Sequence, residues 1–146
     1  MKIKVKKLNE KAVLPQRATE GSAGADLFAC TDQPVEINPG EIKVIKTGIA
    51  IEIPDNKHAA FVYARSGLGI KHGICLSNGV GVIDSDYRGE ICVGLCNISK
   101  NPYTVEPGER IAQMVIMPVE CPVYEESQEM NYTERGTGGF GSTGKF

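Results

Sequence analysis

Residues 35–56 read VEINPGEIKVIKTGIAIEIPDN, and their pattern is that of a chain built for β-sheet. Val35-Glu36-Ile37 alternates apolar and polar, Asn38-Pro39-Gly40-Glu41 interrupts it, and the chain resumes as Ile42 to Thr47 and Ile49 to Ile53 before Pro54-Asp55-Asn56. A strand throws successive side chains to opposite faces, so period-two alternation buries one face. Pro and Gly at these positions break a ladder and set a turn. The segment therefore predicts two strand regions separated and closed by turns.

The same grammar extends outward. Ile3 and Val5 alternate with Lys2, Lys4 and Lys6, and Ala59 to Ala64 is an apolar run. Ile91, Val93 and Leu95 share one face of a further strand, with Cys92 and Cys96 on the other. Tyr103-Thr104-Val105 enters a second Pro-Gly-Glu turn, Glu106-Pro107-Gly108-Glu109, and Ile111 to Met117 follows as a strand. Roughly ten short strands with regular turns predict an all-β sandwich or jelly roll. A turn or so of helix near Leu68 to His72 is the only helical expectation, weakened by its glycines. The hydrophobic pattern fades from about Glu125, which divides the chain into a β core over residues 1–134 and a glycine-rich, mobile tail over 135–146.

Bulk properties narrow the function. The 146 residues suit one domain, and 17 Gly with 8 Pro favour turns over long helices. A net charge of −2 makes no case for nucleic acid or an anionic membrane as partner. No apolar run approaches the roughly 20 residues of a membrane span, and the Lys-rich start lacks the apolar centre of a signal peptide. The five Cys lack CxxC spacing and His58 and His72 stand apart, so free thiols in a reducing cytoplasm are expected rather than a zinc site.

Five segments exceed what packing requires. AGADL (23–27) brings a carboxylate into a strand, and RSGLG (65–69) can offer a guanidinium, a hydroxyl and backbone N–H groups to one phosphate. NGVGVIDSDYRGE (78–90) crowds Asn78, Asp84, Tyr87 and Arg88 into one hairpin, beyond what a turn-forming Asp-Ser-Asp explains. In GERIAQMV (108–115), Gln113 shares the parity of Ile111 and Val115, a polar residue on an apparently apolar side. RGTGGFGSTG (135–144) sets Arg135, Phe140, Ser142 and Thr143 among glycines. A P-loop reading of Gly139 to Phe146 fails, because no strand precedes it and the chain ends where the helix should start.

Together, in this order and spacing, the five segments resemble the motifs of the homotrimeric dUTP diphosphatase (dUTPase) family. The resemblance implies a β jelly-roll subunit, a threefold trimer with shared active sites, and hydrolysis of dUTP to dUMP and pyrophosphate with Mg²⁺ carried on the triphosphate. It casts Asp84 as general base and Tyr87 as the platform beneath the deoxyribose. Asn78 and the hairpin backbone from Gly89 to Cys92, Ile91 included, would read the uracil. Arg65, Ser66, Gly67 and Gln113 would hold phosphate, with Asp26 and Gln113 meeting the metal through water. Arg135, Phe140, Ser142 and Thr143 would close over the nucleotide, Phe140 on the base. Ala64 departs from the proline usual before the Arg-Ser-Gly turn. Two alternatives keep the scaffold: a dCTP deaminase, with or without diphosphatase activity, and a silent regulatory binder. Arg65-Ser66-Gly67 and the intact Asp84 and Tyr87 argue for simple dUTP hydrolysis.

Overall fold

The computed structural model describes residues 1–140, and Ser142 and Thr143 therefore lie outside the described residues. Eleven strands and one short helix follow the order β1 (Lys4–Lys7), β2 (Ala25–Phe28), β3 (Val35–Ile37), β4 (Ile42–Lys46), β5 (Ile49–Glu52), β6 (His58–Tyr63), α1 (Ser66–His72), β7 (Ile74–Leu76), β8 (Gly81–Ile83), β9 (Cys92–Asn97), β10 (Tyr103–Val105) and β11 (Arg110–Pro118). Among the described residues a four-stranded sheet β2-β11-β6-β8 and a three-stranded sheet β4-β9-β7 are accompanied by two separate two-stranded ladders, β1-β5 and β10-β3. Every pairing is antiparallel, and the architecture is that of a β jelly roll.

The two Pro-Gly-Glu turns fold alike. Gly40 and Gly108 both take φ 78°, the left-handed position that Gly occupies without strain. Glu41 N–H donates to Asn38 O at 2.9 Å, and Glu109 N–H to Glu106 O at 3.0 Å. Each Glu carboxylate then accepts the first residue's N–H, at 2.9 Å in both. The strands they follow, β3 and β10, pair with each other.

Leu27, Ile37, Ile45, Ile49, Ile74, Val93, Leu95, Val105 and Ile111 are fully enclosed between the layers. The alternation read in β9 holds: Val93 and Leu95 point inward, while Cys92 is exposed and Cys96 half-buried. Asn97 is buried among them, its amide donating to Ile37 O and Asn101 O at 2.8 Å each. Its Oδ1 accepts from Ser99 N and Oγ, so the group is satisfied away from water.

The body of the fold ends earlier than expected. After Pro118 there is no further strand among the described residues, and Val123, Tyr124, Met130 and Tyr132 are 88–95% exposed. The boundary at 134 followed the start of the glycine-rich segment at Arg135, not the fading of the hydrophobic pattern from about Glu125. In the single chain these apolar residues find no core to join.

Candidate active site

Two cavities hold the residues singled out above between Asp26 and Gln113, and they share no lining residue. The first, of about 300 Å³, is walled by Asn78, Gly81, Asp84, Tyr87, Glu90, Ile91 and Cys92 with Leu76, Val82 and Val93. The second, of about 340 Å³, is walled by Asp26, Arg65, Ser66, Gly67, Arg110 and Gln113 with residues of the 18–24 loop. Both have the size of small-molecule sites.

The first cavity is a slot beside β8 and β9. Asp84 follows Ile83, which pairs with Ala60 of the buried β6, so the backbone before the carboxylate is fixed. Tyr87 N–H donates to Asp84 O at 3.1 Å and closes the turn, and Arg88 fastens it from outside through Ser85 O at 2.7 Å. Tyr87 is 46% exposed, its hydroxyl donating to Glu90 O at 3.1 Å. A Cβ on Gly89 would lie 2.5 Å from Tyr87 Cζ, so the ring rests directly on that glycine. Among the described residues the Asp84 carboxylate and the Asn78 amide have no side-chain hydrogen bonds, which leaves both available to a ligand.

The expected role of the Ile91 backbone does not survive the geometry. Ile91 N–H donates to Ile49 O at 2.9 Å. Its carbonyl accepts Thr47 N–H at 3.2 Å and Thr47 Oγ at 2.6 Å, which uses both lone pairs. Ile91 anchors the edge and does not read a base. The ladder alternation turns the N–H and C=O of Cys92 away from β4, toward the side where β7 has ended at Leu76. Glu90 adds a second anchor, accepting Gly48 N–H at 3.0 Å and lying 3.6 Å from Lys46.

The second cavity is laid across the four-stranded sheet. Asp26 of β2 faces Gln113 of β11, which faces Tyr63 of β6 two residues before Arg65. The Asp26 carboxylate accepts Arg65 Nε at 2.9 Å and pairs with Arg110 Nη1 at 3.3 Å. Arg65 also reaches Arg110 O at 3.2 Å. Two guanidiniums share one acid, so the cavity keeps an excess positive charge suited to an anion. Ser66 and Gly67 form the first turn of α1, where Arg65 is the N-cap without a side-chain cap bond, so the turn's N–H groups stay open.

Gln113 enters this cavity by a route the alternation did not foresee. The β11–β2 ladder slips between Arg110 and Ala112, so Ile111 and Ala112 are both buried. Beyond that bulge the parity reverses, and Gln113 lies on the face opposite Met114. Its amide donates to Ala64 O at 3.0 Å, a carbonyl that a proline would equally supply. A Cβ on Gly24 would come within 2.6 Å of Gln113 Oε1, so this glycine lets β2 approach the amide.

Arg135 and Phe140 belong to neither cavity. Arg135 Nε donates to Gly138 O at 3.0 Å, and Phe140 is fully exposed with φ 50°. Three side chains that shape the site carried no expected role: Arg110 and Glu90, which line the cavities, and Thr47, which lies outside both and holds the Ile91 carbonyl. Arg110 and Glu90 stand inside quoted motifs, and their charge was the available signal. Thr47 offered only its hydroxyl between two apolar runs. Among the described residues no three His, Cys, Asp or Glu side chains gather as a metal cage. Asp26 and Gln113 can still accept or donate through metal-bound water, and this donor set fits a hard cation carried on a ligand's phosphates.

Comparisons with known proteins bear on the fold and the family. The dUTPase family model matches residues 10–144. A deoxyuridine 5'-triphosphate nucleotidohydrolase of Acinetobacter baylyi is 50% identical, with 99% of each chain covered. The solved dUTPase of Staphylococcus bacteriophage 80alpha, with dUpNHpp, superposes with a TM-score of 0.88 at 30% identity, covering 98% of both chains. The dUTPase of phage phi11 of S. aureus, whose structure is described as showing coordination of a structural Mg(II) ion, gives a TM-score of 0.80 at 25% identity over 90% of this chain and all of its own. The chain that builds these two cavities belongs to the dUTPase family.

Proposed function

We propose that the chain hydrolyses dUTP to dUMP and pyrophosphate, with Asp84 as the base that activates the attacking water. The observation that carries the reading is the Asp84 carboxylate, held without a side-chain partner at a slot shared with Tyr87 and Asn78. The slot suits uracil and deoxyribose: the Asn78 amide and the Cys92 backbone supply donors and acceptors for the base edge. Tyr87 lies beneath the sugar and leaves no room for a 2′-hydroxyl. Arg65, Ser66, Gly67, Arg110 and Gln113 hold the triphosphate in the second cavity. Asp84 takes a proton from water as its oxygen bonds the α-phosphorus, and the bond to the α,β-bridging oxygen breaks. A bound Mg²⁺ would neutralise phosphate charge, with Asp26 and Gln113 held to it through water.

Because base slot and phosphate cavity are separate in one chain, the complete site joins the slot of one copy to the cavity of another. The exposed apolar residues of 119–134 supply the surface for that assembly, and the family form is a trimer. The tail of a further copy, with Arg135, Phe140, Ser142 and Thr143, closes over the nucleotide.

Asp84→Asn tests the central role. It keeps the shape and removes the base, so turnover should fall by at least about two orders of magnitude while binding of a non-hydrolysable dUTP analogue survives. Turnover near that of the parent would end the assignment. Turnover of dCTP above that of dUTP would instead favour the deaminase alternative.

A further inference from the structure

Cys75 and Cys96 stand directly opposite each other on the neighbouring strands β7 and β9. Their Sγ atoms are 3.2 Å apart, and both residues are half-buried on the outer face of the three-stranded sheet. The remaining thiols, Cys30, Cys92 and Cys121, have no such neighbour among the described residues.

The ladder decides whether this pair can be joined. Gly73 O accepts Ile98 N–H at 2.9 Å, and Gly94 O accepts Ser77 N–H at 2.8 Å. Antiparallel pairs alternate between hydrogen-bonded and non-bonded, so the pair midway between these two, Cys75 and Cys96, is of the hydrogen-bonded kind. Such pairs set their Cα atoms about 5.5 Å apart, within the range that disulfides span. Facing Cβ atoms lie about 4.5–5.5 Å apart, widest in bonded pairs, against about 3.5–4.5 Å across a disulfide, so closing the sulfurs to bonding distance needs side-chain rotation and a small approach of the two strands.

We infer that Cys75 and Cys96 form a dithiol site that low-molecular-weight disulfides oxidise to an intrachain cross-link between β7 and β9. In the first step one cysteine thiolate attacks the small disulfide, forms a mixed disulfide and releases one small thiol. In the second the other cysteine attacks the protein-bound sulfur and releases the second small thiol. Two cysteines are oxidised, and one disulfide is reduced to two thiols. Hydrogen bonding with Cys96 and then burial push the Cys75 thiol above its ordinary value, so exchange at neutral pH is slow and mildly alkaline buffer speeds it. The cross-link would staple the wall of the base slot, since Leu76 and Asn78 follow Cys75, and Val93 and Gly94 shortly precede Cys96.

The test uses the full chain, reduced and then incubated with oxidised glutathione, alkylated, and digested with trypsin without reduction. The expected product joins His72–Arg88 to Gly89–Lys100, two hydrogens lighter than the separate peptides. The second peptide also contains Cys92, so fragment ions must place the bond on Cys96. The linked protein should melt roughly 5–10 °C above its reduced form, and Cys75→Ser should abolish both product and shift. Recovery of Cys75 and Cys96 as separately alkylated residues would overturn the inference. So would a bond to Cys92, or a linked protein that melts lower than the reduced one. Peptide mapping of the unsubstituted chain decides the matter even where a variant folds poorly.

Discussion

Tyr87 shows how one side chain is set from two directions. Its hydroxyl is held by Glu90 O, and its ring is seated on Gly89, where even a methyl group would collide with it. Gly89→Ala should therefore lift the ring from its seat, and so from the sugar platform proposed for it, without touching Asp84. The expected result is a lower kcat/KM for dUTP and a higher ratio of UTP to dUTP hydrolysis, in the same direction as Tyr87→Ala. Steady-state rates on both nucleotides measure it, and a ratio unchanged in both variants would remove Tyr87 from sugar selection. Tyr87, Asp84 and Asn78 were legible in the sequence because a turn has no packing use for that mixture. Thr47 and the anchoring role of Ile91 were not, because a lone hydroxyl between apolar runs and a backbone carbonyl leave no pattern in the sequence.

The strands show where local pattern fails. Alternation located β4, β5 and β9, and the Pro-Gly-Glu turns announced their own geometry. The bulge in β11 left no mark, because Ile111 and Ala112 are both apolar and either could begin the buried series. Helix α1 was foreseen only as a turn, since two glycines in SGLGIKH oppose it. It is completed by Gly73, whose left-handed φ of 66° returns its N–H to Gly69 O and Leu68 O, and by burial of Leu68. The β4–β5 turn matters most for the site, since Thr47 and Gly48 hold the hairpin at Ile91 and Glu90. Thr47→Val keeps the volume and removes the donor to a buried carbonyl. It should cost about 1–2 kcal/mol in urea unfolding, with the denaturant slope unchanged. A midpoint equal to the parent's would show that the Thr47 N–H alone secures Ile91.

Over the whole molecule, the segment after Pro118 distinguishes assembly from chemistry. A chain ending at 118 loses Val123, Tyr124, Met130 and Tyr132 and should sediment as a monomer, whereas one ending at 134 should stay trimeric yet turn over little dUTP. Analytical ultracentrifugation beside a pyrophosphate assay reads both, and a trimer from the shorter chain would dismiss the arm as the assembling element. Glycines mark the expected tail in the sequence, whereas nothing local marks residues 119–134 as an arm, and its exposed apolar side chains are what the proposed contact with another copy would cover. Within one subunit, β11 lies between β2 and β6 and links residues 25–28 with 110–118. The sheet that gathers Asp26, Arg65 and Arg110 thus cannot close until some four-fifths of the polypeptide has left the ribosome. Until then β2 has only the bridge from Gln16 to Asp26 on one side, and its other edge stands open to any strand that can pair with it.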